Sequence, residues 1–335
     1  MAATIGSERG DTVAPPTRLE VVHDTRYAYP APVTLAHHLA HLQPLEDAHQ
    51  RLLGFELEVD PPPAAPPRAS RDALGNLQHH FSLAGPHERL HVRARSVVEL
   101  RPRFAALDAA ASPSWEAVAA MLRYVARAPY RPAVEFAQPS PFVPLLPELR
   151  AYAAPSLAPG RPLAAAALEL MQRVHDDFSY ESASTEVDTP LAQVFAQRSG
   201  VCQDFAHLMA GALRAWGLPA RYVSGYLLTR APGDLQDMVG ADASHAWVQV
   251  WCPGTPGVPA EGPQAGWLDL DPTNRLVPGV GHVRVASGRD YGDVTPLRGV
   301  IRGGGARHGL QVAVRTRVLH GLPGEAPDPA HPLLA

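Results

Sequence analysis

Cysteine is nearly absent from this 335-residue chain, which holds only Cys202 and Cys252. A disulfide framework is thereby excluded, and a cytoplasmic protein with reduced thiols is the simplest expectation. Long apolar runs are missing too: nowhere do eighteen apolar residues follow one another, so no membrane span is expected. Met1 to Pro16 has no basic stretch leading into an apolar run, so no secretory leader is expected. Positive charge is not in excess. A net charge of −4 and a pI near 6.5 give no field that would neutralise phosphates, which argues against a nucleic-acid partner. The sixteen histidines, His37-His38 and His79-His80 among them, include no H-E-x-x-H, and no paired C-x-x-C occurs, so neither a metal nor another cofactor is expected. No G-x-x-x-x-G-K phosphate loop is present either.

What is present is an ordinary globular balance, 46% hydrophobic and 19% charged, with 36 prolines gathered in connectors such as Pro61 to Pro67 and Pro139 to Pro147 and in a proline-rich tail. Three stretches follow. Residues 17–105 alternate apolar and polar (Leu19, Val21; Phe55, Leu57, Val59; Leu90, Val92, Ala94), with Gly75-Asn76 as a turn. They read as an antiparallel β domain with one wet face. Residues 106–160 read as a proline-rich connector with a helix capped by Ser114 and striped by Val118, Met121, Leu122 and Val125. Residues 161–320 carry the chemistry, after a further helix opened by Pro162.

Within that last stretch, a helix is expected from Val201 to Trp216. Phe205, Leu208, Met209, Ala212 and Leu213 recur at helical steps, and Gly217 with Pro219 ends it. Cys202 falls in its first turn, where unpaired N–H groups and the positive end of the dipole favour thiolate over thiol. Strands are expected at 220–228, 244–251 and 266–271, and a later one at 311–318. If the second and third form a hairpin centred near Val258, His245 faces Asp271 and Asp269 faces Trp247. A carboxylate beside an imidazole fixes its tautomer and stabilises the imidazolium. Each residue also has a plainer reading: a buried inert cysteine, a core histidine, a turn aspartate before Pro272. Gln203 is a candidate donor to an oxyanion or a surface residue, and Tyr180 a cleft-lining or core residue. Trp247 and Trp267 are expected to wall the site, and Cys252 to be packing.

Four blocks then carry a resemblance: Arg198-Ser-Gly-Val-Cys-Gln-Asp-Phe-Ala-His207, Ala220-Arg-Tyr-Val-Ser-Gly-Tyr226, Asp242-Ala-Ser-His-Ala-Trp247 and Gly266-Trp-Leu-Asp-Leu-Asp-Pro-Thr-Asn274. In this order they resemble the bacterial transglutaminase-like family. Tyr27 to Val33, Asp72 to Asn76 and His282 to Val294 resemble its flanking regions, although Leu74 stands where an aromatic is usual. The resemblance implies an α+β fold, a papain-like transglutaminase core with an N-terminal antiparallel β domain, and a triad of Cys202, His245 and Asp271. It implies acyl transfer or hydrolysis at a carboxamide or peptide bond of a protein or peptide substrate, through a thioester. The rival expectations are a non-catalytic peptide-binding module on the same fold and a scaffold whose β region binds a partner.

Overall fold

The computed structural model describes residues 16–182, 184–228 and 244–319. Residues 1–15, the proline-rich tail and Asp242-Ala243 of the histidine block lie outside them. The chain opens with four strands, β1 (Thr17–Ala40), β2 (Gln50–Asp60), β3 (Arg68–Arg71) and β4 (Leu77–Leu100). The connector carries α1 (Trp115–Met121) and α2 (Pro147–Ala153). Then come α3 (Leu163–Asp177), β5 (Ser179–Tyr180), α4 (Leu191–Gln197), β6 (Ser199–Gly200) and α5 (Cys202–Arg214). The chain continues through β7 (Ala220–Leu227), β8 (His245–Trp251), β9 (Trp267–Leu270), β10 (His282–Gly288), α6 (Tyr291–Val294), β11 (Leu297–Gly303) and β12 (Gly309–Val318). The expected α+β architecture with antiparallel sheets is what the chain adopts.

β1 and β4 run antiparallel over 24 residues each, and their ladder breaks between Ala28 and Val33. Pro30 and Pro32 fall in that gap, where a residue without an N–H cannot sustain the ladder. The break divides the outer edge of β1 in two. β12 pairs with Leu19 to Ala28, and β11 with Val33 to Ala40. The expected 161–320 stretch is therefore split by the pairing: its last two strands complete the N-terminal sheet, in the order β11-β1-β4-β2. Phe55, Leu57 and Val59 alternate with exposed residues, as the period-two pattern requires.

The second sheet, in the order β10-β7-β8-β9, is antiparallel and buried throughout. It packs on α5, whose residues are all buried except Cys202 and Gln203 at its start. A helix buried on every side lies inside a core rather than on it, and its polar members Asp204 and Arg214 are met there by hydrogen bonds. Gly211 lets α2 approach closely, since a Cβ there would stand 2.8 Å from Leu149 Cδ1. Each fully buried leucine of this core, Leu208 or Leu213 for example, contributes on the order of 2 kcal/mol by its removal from water. Ser114 caps α1 through Ala117 N–H, but the helix stops at Met121. The expected stripe fails there because nothing covers Val125, which is 63% exposed.

Buried polar contacts join the two sheets. The Arg103 guanidinium donates to Asp269 Oδ2 at 3.2 Å and to Gln50 Oε1 at 2.8 Å, while Arg284 pairs with Asp47. The Gly75-Asn76 turn docks on β10: Asn76 Nδ2 donates to Ser287 O at 2.9 Å, and Asn76 Oδ1 accepts Ser287 N–H at 2.8 Å. The side-chain amide thus imitates one rung of a sheet.

Candidate active site

Cys202 is the first residue of α5, entered from the parallel pair β5–β6. Asp204, two residues further on, folds back to accept Val201 N–H at 2.9 Å and the Thr185 hydroxyl at 2.6 Å. Burial pushes its carboxyl up, and these hydrogen bonds pull it back. Gly200 makes room for this arrangement, because a Cβ there would lie 2.7 Å from Asp204 Oδ2. The N–H groups of Cys202 and Gln203 begin the helix and have no intrahelical acceptor. Cys202 is half-buried, whereas Cys252 is fully buried and burial drives its thiol far above the ordinary range.

His245 opens β8, and its Nε2 lies 2.9 Å from Asp271 Oδ2 with both side chains wholly buried. Burial alone would push the imidazole down. The Asp271 charge and hydrogen bond, together with Cys202, outweigh burial and raise it to about 10. That balance favours the protonated ring. Its second nitrogen, Nδ1, is buried and makes no hydrogen bond of good geometry; Cys202 is the neighbour that acts on the ring besides Asp271. Asp271 lies just past β9, where it pairs with Leu276. Its Oδ1 accepts the N–H groups of Thr273 and Asn274 at 3.0 and 3.1 Å, and Oδ2 accepts Asn274 Nδ2 at 2.9 Å. A second histidine reaches the same oxygen: His282 Nε2, on β10, stands 3.1 Å from Asp271 Oδ2. Burial opposes the Asp271 charge, but His245 and these donors hold the carboxyl well below its usual range. Burial pushes His282 down while Asp271 pulls it up, and the net shift is downward. An ionised carboxylate only accepts, so the Nε2 of each ring carries a proton.

The structure thus brings His245 and Asp271 together, but not through the expected register. Val248 faces Leu270 and Asp269 faces Gln249, two residues away from the symmetric hairpin. A two-residue slip preserves the face, so Asp271 still reaches His245, from the diagonal position. Asp269 is bound to Arg103 and Gln249 rather than lying opposite Trp247. Trp247 is fully buried, stacks on His245 with centroids 6.1 Å apart and meets His282 edge-on at 5.3 Å. It walls the imidazoles and has no face open to a substrate. Its close packing depends on Gly225, where a Cβ would meet the Trp247 ring at 2.5 Å. Trp267 lies at the other end of the sheet, against Phe136 and Arg221, and does not wall this site. Gln203 Nε2 donates to Val187 O at 3.0 Å. Tyr180 is half-buried against Phe205. Sequence reasoning passes over Asp204, over Asn274 as a donor to the carboxylate, and over His282. The one signal for His282 was its place in the block that follows the core. His245, Asp271 and His282 offer three ligand atoms within 4.8 Å of one another. Holding an ion there would require stripping both Nε2 protons and displacing Asn274.

A cysteine at a helix start, with histidine and aspartate at one end of an antiparallel sheet packed on that helix, defines a cysteine-enzyme fold of the transglutaminase-like class. The chain belongs to the transglutaminase-like superfamily, whose sequence model matches residues 150–272; that of the bacterial transglutaminase-like N-terminal region matches residues 19–99. An uncharacterized protein of Mycobacterium tuberculosis is 40% identical over 286 residues, covering 85% of this chain and 87% of that one. A protein-glutamine gamma-glutamyltransferase of Pseudomonas aeruginosa is 34% identical over 128 residues, 36% of this chain and 17% of its own. Among solved structures, a candidate cysteine protease from Cytophaga hutchinsonii superposes with a TM-score of 0.67 at 19% identity, covering 91% of this chain and 92% of its own. That likeness is one of fold. No helix among the described residues is long and apolar enough to cross a membrane.

Proposed function

We propose that this protein opens a carboxamide or peptide bond of a protein or peptide substrate through a thioester on Cys202, with His245 as proton carrier and Asp271 orienting it. The observation that carries the reading is the buried His245–Asp271 pair, which favours the charged ring, holds Nε2 and leaves Nδ1 to Cys202. The Cys202 thiolate attacks the carbonyl carbon and forms a C–S bond, while the carbonyl π pair moves onto oxygen. The Cys202 N–H at the helix start is placed to meet that oxyanion. When the tetrahedral adduct collapses, the C–N bond breaks and His245 Nδ1–H protonates the departing nitrogen. The neutral ring then takes a proton from water or from an acceptor amine as that nucleophile attacks the thioester, and thiolate and imidazolium are restored. Asp271 stays ionised throughout and holds the ring by Nε2. Two unpaired cysteines support the cytoplasm as its compartment.

The test is capture of the thioester. With a library of glutamine-containing peptides and hydroxylamine, the wild-type chain should yield hydroxamates, or free acids where water wins, and Cys202→Ala should yield neither. Equal products from Cys202→Ala, or none from either chain, would overturn the reading. All 29 basic residues are arginine, so a lysine crosslink detected in such an assay belongs to the substrate and not to the enzyme.

A further inference from the structure

A second cleft, of about 1160 Å³, opens at the end of the core sheet remote from Cys202. Five parts of the chain build it: Asp72 and Leu74 beside the docked turn, the connector around Tyr130 and Phe136, Arg221, Trp251 and Trp267 of the sheet, the β8–β9 loop at Ala265, and Arg289, Asp293 and Arg298 beyond β10. His245 begins β8 and Trp251 ends it, which puts the cleft about 20 Å from the imidazole at ~3.3 Å per residue.

Arg221 gives this cleft its chemistry. It is 6% exposed, and its guanidinium lies 4.1 Å over the Trp267 ring. Its Nε donates to Gln249 Oε1 at 2.7 Å and its Nη2 to Gln264 Oε1 at 2.6 Å, both neutral amides. The other buried arginines are better met. Arg103 has Asp269 and Arg284 has Asp47, while Arg214 is ringed by the carbonyls of Ala220 and Arg289 and the Ser140 hydroxyl. Burial pushes Arg221 down to about 9 against the distant pull of Asp269, so it is still charged at neutral pH. A guanidinium has five N–H donors, and a buried charge left half-bonded is costly until an anion meets it. The acids of the cleft are committed elsewhere. Asp293 grips Arg289 with both oxygens, Asp72 holds Leu74 N–H and Asn76, and Glu135 accepts the Tyr130 hydroxyl.

We propose that this cleft binds the free C-terminal carboxylate of an apolar peptide, with the carboxylate on Arg221 and the last side chain against Phe136 and Trp251. The walls carry Arg131, Arg289 and Arg298 as well as Asp72, Glu135 and Asp293, so it is the aromatic floor of Phe136, Trp251 and Trp267 beside Arg221, and not wall charge, that favours a carboxylate borne on an apolar chain over inorganic phosphate. The volume exceeds that of a single amino acid, and pockets of roughly 300–1,000 Å³ already bury drug-sized ligands. The site is separate from the thiol and does not depend on the chemistry proposed for it.

The test uses the full chain with Cys202→Ala, which prevents turnover. The probes are acetyl-Ala-Ala-Phe with a free carboxylate and the same peptide amidated, titrated by calorimetry. The acid should bind saturably at one site, and the amide about ten- to a hundredfold more weakly. Adding Arg221→Gln should abolish that difference. If that variant does not fold, Ala265→Trp, which fills the cleft without touching the charge, should remove binding of the acid. Inorganic phosphate should not displace it. Equal binding of acid and amide, no saturable binding of the acid, binding that survives Ala265→Trp, or displacement by phosphate would each overturn the proposal.

Discussion

His282 Nε2 lies 3.1 Å from Asp271 Oδ2, so the carboxylate that holds His245 is itself held by a second histidine. Removing that donor should loosen the carboxylate without touching the thiol. His282→Leu is expected to slow alkylation of Cys202 about ten- to a hundredfold, as other changes to supporting hydrogen bonds do. His282→Gln, whose amide can donate to the same oxygen, should restore most of the rate. The check is the alkylation rate as a function of pH. Equal losses in both variants would mean that His282 only fills space.

Asp271→Asn should lower turnover by up to ~10,000-fold, the cost of the matching change in serine-triad enzymes, because an amide cannot stabilise the imidazolium. It should also lower stability, since its NH2 would confront some of the five donors that now meet the carboxylate. Asp269→Asn should show the reverse balance. It leaves Arg103 without its ion pair and weakens the seam between the sheets, yet spares the thiol's reactivity. Thermal midpoints and alkylation rates measured on both variants separate the two roles, and a larger loss of reactivity at Asp269 would reverse the assignment.

Cys202 should react with iodoacetamide before Cys252. The first is half-buried at a helix start; the second is fully buried and its thiol pushed strongly upward. Peptide mapping after brief labelling at neutral pH decides it, and preferential modification of Cys252 would exclude Cys202 as the nucleophile.

Stability should peak near neutral pH and fall on both sides. His245 is raised to about 10 in the fold, so its contribution is complete below an ordinary histidine's 6.5 and disappears as the pH climbs through 10. On the acid side the sign is opposite. Burial lowers His23 and His38 to about 4 and His207 to about 3, so the unfolded chain takes up protons below 6.5 that the folded one refuses. Each can cost up to ~3 kcal/mol as the pH falls through that window. The lowered Asp271 adds a loss only below the ordinary carboxylate range. Urea midpoints at acid, neutral and alkaline pH measure this, and a flat profile below pH 6.5 would contradict it.

Much of the site is legible in the residues because local rules place it. Helical steps from Phe205 to Leu213, stopped by Gly217 and Pro219, locate the cysteine on its helix, and short apolar runs flanking a glycine- and proline-rich loop locate both strands. The register escapes because the loop between β8 and β9 turns through Gly254, Gly257, Gly262 and Gly266, all with positive φ, so it is no symmetric hairpin. His282 escapes because its contact with Asp271 joins the ends of strands that are not neighbours, which no spacing encodes. The pairing of β11 and β12 with β1 escapes for the same reason: it is a contact between distant segments.

That pairing has a consequence for biosynthesis. β1 leaves the ribosome well before β11 and β12, with the whole core sheet synthesised between them. At ~5–20 residues per second, on the order of tens of seconds pass between them. Throughout that interval the outer edge of β1, on both sides of the Pro30–Pro32 break, has no native neighbour and is open to any passing strand. The nascent chain thus carries its aggregation hazard at the front and its remedy at the back. A chain cut short after the catalytic blocks would keep every residue of the proposed chemistry and still leave that edge bare.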